Sequence, residues 1–600
     1  MKRFIVQIAM LPVLAGAFVG AQQPSAPANE PGPFFRVTTR LVLVDVIVLD
    51  KESNPVQGLK ADDFTVTEDG VRQRITSFSA RIPELARPAP PLVLPPHVTT
   101  NRPVATQRNS ENGTAAVLLL DGLNTPPHSQ IYVKQEMLRF LARQYDPNTK
   151  LAVIALTNKL TVLQDFTQEP VLLRAALDRY LAKTPALARS GGHMETPSAS
   201  VLAPSVNLPA QATGGPTSRG PDPGLPATLA AGGSNSSISE DIAYMMDRFE
   251  RESENFSRDT RIATTLSALE EIARFMSGQN GRNVLLWFST GFPFSVVGDS
   301  PSSMEAERNY GDRIRRAINL LNDAHVAAYT IDAGGLVPES LGDASLSGRD
   351  QDGKIHHGID ANRALSADAF QRFSTHDALE TIALDTGGSY FGNRNDFENA
   401  IKSAMRESSS FYMLGYYPSN KRWDRKFREI KLQVNRPGVQ LRYRRGYFAV
   451  NPTDWRKDNG EGALEAALAA NSLPSTQVTF MARALPPSPD ADTVVEFAVD
   501  PSTLSFETEA ENHHRCSLRF EVQAFTREGK LAKVEVQSAE ASLPVPTYER
   551  VRKQELPMNV PIRLPSGKYI LRLGVRDNLT GLFGTAELAL DVPAQDESKR

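Results

Sequence analysis

Four short runs almost free of polar residues restrict this chain more than any other feature. They are Ala115 to Leu120, Leu151 to Leu156, Val284 to Phe288 and Val326 to Ile331. A strand with one wet face alternates apolar and polar residues, whereas an unbroken apolar run marks a strand covered on both faces. Helical periods lie between the runs. One is Ile131, Val133, Met137, Leu138 and Leu141, and Val171 to Leu181 is another. Ile262, Leu266, Leu269, Ile272 and Met276 follow, closed by Ser277-Gly278, and then Ile314, Ile318 and Leu321. Leu379, Ile382 and Ala383 end at Thr386-Gly387-Gly388, and Phe397, Ile401 and Met405 complete the series. Parallel neighbours need a crossover helix. The spacing therefore predicts an α/β unit over 114–408, built on a doubly wound, mostly parallel sheet, with Leu160 to Leu163 as a short extra strand. Residues 184–236, rich in Pro, Ala, Gly and Ser, read as a disordered insertion, and the Gly-, Asp- and Ser-rich stretch 334–376 as a long loop.

The flanks have a different period. Residues 34–82 read as β: Arg36 to Asp50 is β-branched and partly alternating, and Phe64 to Ile75 reads as a hairpin folded at Asp69-Gly70. Residues 86–112 read as a linker. After the α/β unit, 409–450 returns to β, with strands at Phe411 to Tyr417, Phe427 to Val434 and Val439 to Tyr443. Each flank is too short for a sandwich alone, so 34–82 is expected to pair with 409–448. A helical linker at 451–475 precedes 476–595, whose evenly spaced strand candidates predict a second β-sandwich.

Lys2 and Arg3, the apolar run Phe4 to Val19 and the small residues Gly20-Ala21 have the order of a secretion signal, so 1–21 is expected to be removed and 22–33 to form a disordered leader. The alternative is a membrane anchor, since the run is just long enough to span; Pro12 and the small-residue end favour cleavage. The expected location is secreted or periplasmic, with no stable membrane anchor after cleavage. A net charge of -3 gives no electrostatic basis for nucleic acid. With Cys516 the single cysteine, there is no intrachain disulfide and no cysteine-based zinc cluster.

Ligands of open α/β sheets bind outside the carboxyl ends of the strands. Those ends carry Asp121-Gly-Leu-Asn-Thr125, Ser289-Thr290-Gly291 and Asp332-Ala-Gly-Gly335. Carboxylates and hydroxyls converging on one rim are hard oxygen donors, suited to a divalent cation such as magnesium (Mg2+). The other reading has Asp121 and Asn124 only capping the following helix.

Over residues 36–450 the chain resembles the von Willebrand factor A-like family, and within it the divergent VWFA-related group described from acidobacteria. The resemblance is carried by Asp62-Asp63-Phe64 and Glu68-Asp69-Gly70, Leu118 to Thr125, Leu285 to Gly291, Ala383 to Tyr390, Tyr412 to Pro418 and Arg444-Arg-Gly-Tyr447. It implies a VWA/Rossmann-like fold carrying a metal-ion-dependent adhesion site in incomplete form. Asp121 and Thr125 fit the first and last positions of the family's Asp-x-Ser-x-Ser. Leu123 replaces the middle hydroxyl, and Ser289-Thr290-Gly291 stands where Thr-Asp-Gly is usual. Asp332 is the candidate for the missing carboxylate, so the candidate metal residues are Asp121, Thr125, Ser289 and Asp332.

Other constellations carry less. His356-His357 and His513-His514 are adjacent pairs in polar segments and read as solvated. Gly387-Gly388 reads as a helix C-cap, and Phe411, Tyr412, Tyr416 and Tyr417 as core and cross-strand packing. A phosphotransfer role for Asp121 needs an acid two residues on, where Leu123 stands. There is no Gly-x-Ser-x-Gly, Walker or His-Glu-x-x-His motif. The expected function is a non-enzymatic binding or adhesion module that engages a protein partner at the rim. The alternative is a metal-dependent hydrolase using Asp121.

Overall fold

The computed structural model describes residues 41–81, 94–102, 114–146, 149–182, 235–279, 281–292, 301–335, 376–450, 461–469, 472–485, 492–509 and 512–593. The expected signal 1–21 and leader 22–33, insertion residues 184–234, loop residues 336–375 and His356-His357 lie outside the described residues.

The chain opens with β1 (Val42–Leu49), β2 (Phe64–Glu68), β3 (Val71–Gln73), β4 (Ile75–Arg81) and β5 (Val98–Thr100). Next come β6 (Ala115–Asp121), α1 (Pro127–Arg143), β7 (Lys150–Leu156), β8 (Leu160–Thr167), α2 (Pro170–Arg179) and α3 (Asn235–Met276). They are followed by β9 (Asn283–Ser289), α4 (Pro301–Asp323), β10 (Val326–Asp332), α5 (376–385), β11 (Tyr390–Phe391) and α6 (Phe397–Ser409). The return is β12 (Phe411–Tyr416), β13 (Phe427–Val434), β14 (Gln440–Arg442) and β15 (Gly446–Phe448). The last part holds α7 (Glu461–Ala467), β16 (Phe480–Leu485), β17 (Thr493–Val499), β18 (Glu507–Thr508), β19 (His513–Thr526) and β20 (Leu531–Pro544). It closes with α8 (Val545–Val551), β21 (Leu556–Ile562), β22 (Gly567–Asp577) and β23 (Phe583–Val592).

The architecture is mixed α/β, with one mixed, largely parallel sheet and several antiparallel ones. The mixed sheet has the order β11-β10-β9-β6-β7-β8, every neighbour parallel except the antiparallel edge pair β7–β8. Its apolar runs are covered on both faces. Val117, Leu119, Ile154, Leu285 and Trp287 pack under α3, α4 and α5, and Leu118, Leu120, Val153, Leu286 and Phe288 under α1, α2 and α6. Each fully buried leucine or phenylalanine contributes about 1.5–3 kcal/mol relative to exposure. Along α1 the buried face is Val133, Met137, Phe140 and Leu141; Ile131, read as part of that face, is 49% exposed on its flank. The antiparallel strand at Leu160 runs on to Thr167, and α3 begins at Asn235, well ahead of the apolar positions that signalled it.

The segments before and after this unit pair with each other. β1 runs antiparallel to β12, with Val44 opposite Leu414, and β2 to β13, with Val66 opposite Leu432. Two sheets, β14-β1-β12-β4 and β15-β13-β2-β3, enclose a core that includes Val44, Phe64, Tyr412, Tyr416 and Ile430. Glu68 faces Val71 across the β2–β3 turn, leaving Asp69 (φ 48) and Gly70 (φ 81) as a two-residue turn with both residues left-handed.

The last two sheets, β21-β17-β16-β5 and β18-β19-β22-β23, share a core of Phe480, Phe497, Phe520 and Leu571 among others. Here the reading of 86–112 as a linker is corrected. β5 pairs antiparallel with β16, and Asn101 Nδ2 donates to the carbonyls of Ser475 and Val478, each at 2.8 Å. An open sheet edge accepts any short extended segment, and three residues are too few to show a period. No helix among the described residues is long and apolar enough to cross a membrane.

Candidate functional site

Register alone sets the rim. Leu120 pairs with Phe288 and Asp332 pairs with Ser289, so Asp121, Ser289 and Asp332 end three adjacent strands, β6, β9 and β10. The predicted shared edge is therefore present. Thr125 lies just beyond, at the start of α1. All four candidate residues are buried.

Asp121 is enclosed by N–H donors. Its Oδ1 accepts from the Asn124 backbone N–H at 3.0 Å and from Asn124 Nδ2 at 3.2 Å. Its Oδ2 accepts from Asn124 Nδ2 at 2.9 Å and from the indole Nε1 of Trp287 at 3.0 Å. Burial pushes the Asp121 carboxyl above the ordinary range, against these donors and Ser289, which draw it down. The Asn124 amide reaches further, donating to Thr265 Oγ1 at 3.0 Å and accepting through Oδ1 from Arg261 Nη2 at 3.2 Å. Its orientation follows from its partners, because a carboxylate can only accept and a guanidinium can only donate. Burial lowers the Arg261 pKa, and the Asp121 charge opposes that shift.

The three other candidate residues are also engaged by the rim loops. Thr125 Oγ1 accepts from the Thr290 N–H at 3.3 Å while Thr290 Oγ1 donates to the Asn124 carbonyl at 2.6 Å, tying the rim loop after β6 to the one after β9. Ser289 Oγ donates to the Gly291 carbonyl at 2.9 Å. Asp332 Oδ1 accepts from the Gly334 N–H at 2.9 Å, and its Oδ2 lies 3.6 Å from His376 Nε2.

A divalent cation needs a shell of converging oxygens. Around Asp121 stand the Asn124 and Trp287 nitrogens, which donate, and the Ser289 hydroxyl, which draws its carboxyl down; Leu123 is buried without an oxygen to offer, and Asp332 is engaged by its own loop and by His376. Among the described residues no three His, Cys, Asp or Glu side chains form a group able to hold a metal. Both Asp121 oxygens are already served by N–H donors. A positive partner is already built in: Arg261, relayed through Asn124.

No protein-family model and no curated protein matches this chain. Solved structures similar to it include an aerotolerance-related membrane protein of Bacteroides fragilis NCTC 9343 with multiple mutations to serines. It is 10% identical, at a TM-score of 0.22 over 49% of this chain and 100% of that one. The conserved hypothetical protein BatB of Bacteroides thetaiotaomicron is 11% identical at 0.21, over 50% and 98%. Proximal thread matrix protein 1 of the mussel byssus is 10% identical at 0.22, over 51% and 48%. Scores this low leave the chain's own geometry to speak for itself.

Arg261 and Thr265 were missed in the sequence, where the helix was followed by its apolar residues alone. The available signal was a polar pair one turn apart, Arg261 and Thr265, each directly before a buried apolar residue, Ile262 and Leu266. Of the other constellations, the glycine pair falls as expected, the aromatic cluster does so except for Tyr417, which is 49% exposed, and the reading of His514 as solvated is corrected, since it lies in β19 and packs on a ring. Tyr412 and Tyr416 are core, with hydroxyls donating to Val56 O and Glu68 Oε2 at 2.9 Å each. Gly387 and Gly388 close α5 through N–H bonds to Leu384 and Ala383 carbonyls. His514 stacks on Tyr548 with ring centroids 3.8 Å apart.

Proposed function

We propose that this chain is an exported, non-enzymatic binding protein on a von Willebrand factor A-like scaffold, which engages a protein partner at the carboxyl rim of its mixed sheet without a metal ion. Counted from β6, the strand order is 3-2-1-4-5-6, and the order reverses between β6 and β9. Open α/β sheets bind ligands at such a reversal, and Asp121 and Ser289 stand at this one. The basic and apolar N-terminal residues support export.

One observation carries the reading: the Asp121 carboxylate is held by Asn124 and Trp287 on both oxygens. A carboxylate spent on internal donors is a poor metal ligand and a poor base, but it fixes the rim loops rigidly, as a preorganised binding surface requires. The hydrolytic alternative would have to use the Ser289 hydroxyl beside Asp121, which donates to the Gly291 carbonyl at 2.9 Å and is buried.

The test has two arms. Calorimetric titration of the purified protein with magnesium, manganese and calcium should give no heat assignable to Asp121. A photo-crosslinker at His128, exposed beside the rim, should capture one protein partner in the presence of a chelator, and one at Arg436, on the distant β13–β14 turn, should not. Ion binding lost in Asp121→Ala, or metal-dependent ester or phosphoester hydrolysis lost in that variant, would overturn the proposal.

A further inference from the structure

β19 and β20 form a long hairpin closed by Thr526 to Lys530, with Gly529 left-handed at φ 80. β19 is interior, flanked by β20 and β22. Among the described residues β20 pairs with β19 alone, so its other edge presents unpaired N–H and C=O groups. The two halves of β20 differ. Toward Pro544 the exposed face is occupied by the chain's own contacts: Glu540 with Arg515, and Ser542 donating to Glu509 at 2.8 Å. Toward the hairpin turn, Leu531 to Val534 are exposed on both faces, with Leu531 at 48%, Val534 at 39% and Val536 at 43%. Exposed edges of this kind recruit another strand.

Charge selects which strand. Lys533 and Glu535 share one face of β20, their side chains 45% and 35% exposed and 3.1 Å apart. Consider a second copy running antiparallel about a two-fold axis at Val534. Each Lys533 then stands opposite the other copy's Glu535, so four charges alternate in a ring. On the other face Val534 meets Val534; Ala532, skipped in the pairing with β19, forms a bulge that ends the regular edge on the turn side. A shift of the axis by one residue toward the turn sets Lys533 against Lys533. A shift the other way sets Glu535 against Glu535. Like charges directly opposite destabilise a strand pair and opposite charges stabilise it, so the central register is favoured over both neighbours. Charges that blunt the edge against foreign strands become complementary when the strand is its own partner.

We propose that β20 is a homodimerisation edge, pairing two copies antiparallel about Val534 with residues 533–535 as the regular centre of the seam, and joining their C-terminal sheets into one continuous sheet.

Sedimentation velocity of the purified protein over a concentration series should show a monomer–dimer equilibrium. Lys533→Glu, on an exposed side chain, places acidic groups opposite each other twice and should weaken association by about tenfold or more. The double exchange K533E/E535K restores the alternation and should recover the dimer. Val534→Cys places the only reactive thiols on the axis, because Cys516 is buried and its thiol is pushed up to about 11; a short bis-maleimide should link two copies. Circular dichroism confirms that each variant is folded. A protein monomeric at every concentration would overturn the proposal. So would a dimer indifferent to Lys533→Glu, or one that Val534→Cys fails to cross-link.

Discussion

His325 Nδ1 lies 3.0 Å from Asp45 Oδ2, across 280 positions of sequence, and joins the amino edge of the mixed sheet to β1. Burial opposes a charged imidazole, but the Asp45 charge and hydrogen bond outweigh it, so the His325 pKa is raised above its ordinary 6.5. Burial likewise opposes the Asp45 carboxylate, and His325, Arg282 and Arg444 together hold it below 3.8. Besides Asp45, the charged groups acting on His325 are Arg444 and Asp323.

The histidine contribution is full below about pH 6.5 and is lost as pH rises through the raised folded value. The Asp45 contribution is present above pH 3.8 and lost as pH falls through its lowered value. The pair is therefore strongest between these limits. His325→Ala should lower stability by about 1–3 kcal/mol near pH 6, since Asp45 loses its hydrogen-bonded partner in a buried place. The difference in melting temperature between wild type and variant should shrink from pH 6 to pH 8. A difference constant over that range would show that the pair does not carry charge.

Trp287→Phe keeps most of the ring volume and removes the N–H that serves Asp121 Oδ2. The expected cost is about 1–3 kcal/mol, the usual penalty for a buried acceptor left short of a donor. Chemical denaturation measures it. An unchanged midpoint would mean that Asn124 satisfies the carboxylate alone.

Asp385 ends α5, where the helix dipole is negative, and is only 8% exposed. Burial raises its pKa to about 6, with Arg445 opposing. An acid raised in the folded state costs stability as pH climbs from 3.8 through 6. Asp385→Asn should thus stabilise the protein at pH 7, by up to about 3 kcal/mol, with the gain fading below pH 4. Thermal melts at the two pH values decide it, and equal shifts at both would contradict the electrostatic cause.

Gly388 sits against the backbone of β10: a Cβ there would fall 2.0 Å from the Ala328 carbonyl oxygen. Neither the α5 cap nor the central strand can move cheaply, so Gly388→Ala should cost about 3 kcal/mol or more. A denaturation midpoint near that of wild type would refute the close approach.

What could be read from sequence follows from how local its cause is. Ala115 to Leu120 announced a strand covered on both faces because nothing polar interrupts it. Asp121, Ser289 and Asp332 could be set on one edge because each directly follows such a run. The Asp69-Gly70 turn was legible because two adjacent left-handed residues have few sequence solutions. The relay from Arg261 through Asn124 to Asp121 was not, since it depends on how α3 is rotated over the sheet, which no periodicity specifies. The role of Val98 to Thr100 escaped for a similar reason: its partner β16 lies far along the chain. Magnesium was suggested by residue types alone, and composition does not encode the directions of the hydrogen bonds that hold Asp121.

The pairing of β1 with β12 has a consequence for how the protein is made. Leu59 N–H donates to the Tyr412 hydroxyl at 3.2 Å across 353 positions, so β1 and β2 are synthesised before nearly the whole α/β unit, and their partners β12 and β13 only after it. During that interval Val42 to Leu49 is an orphaned apolar strand, prone to misassociation. A chain cut short before residue 411 would lack β12 and leave β1 without the strand that runs beside it.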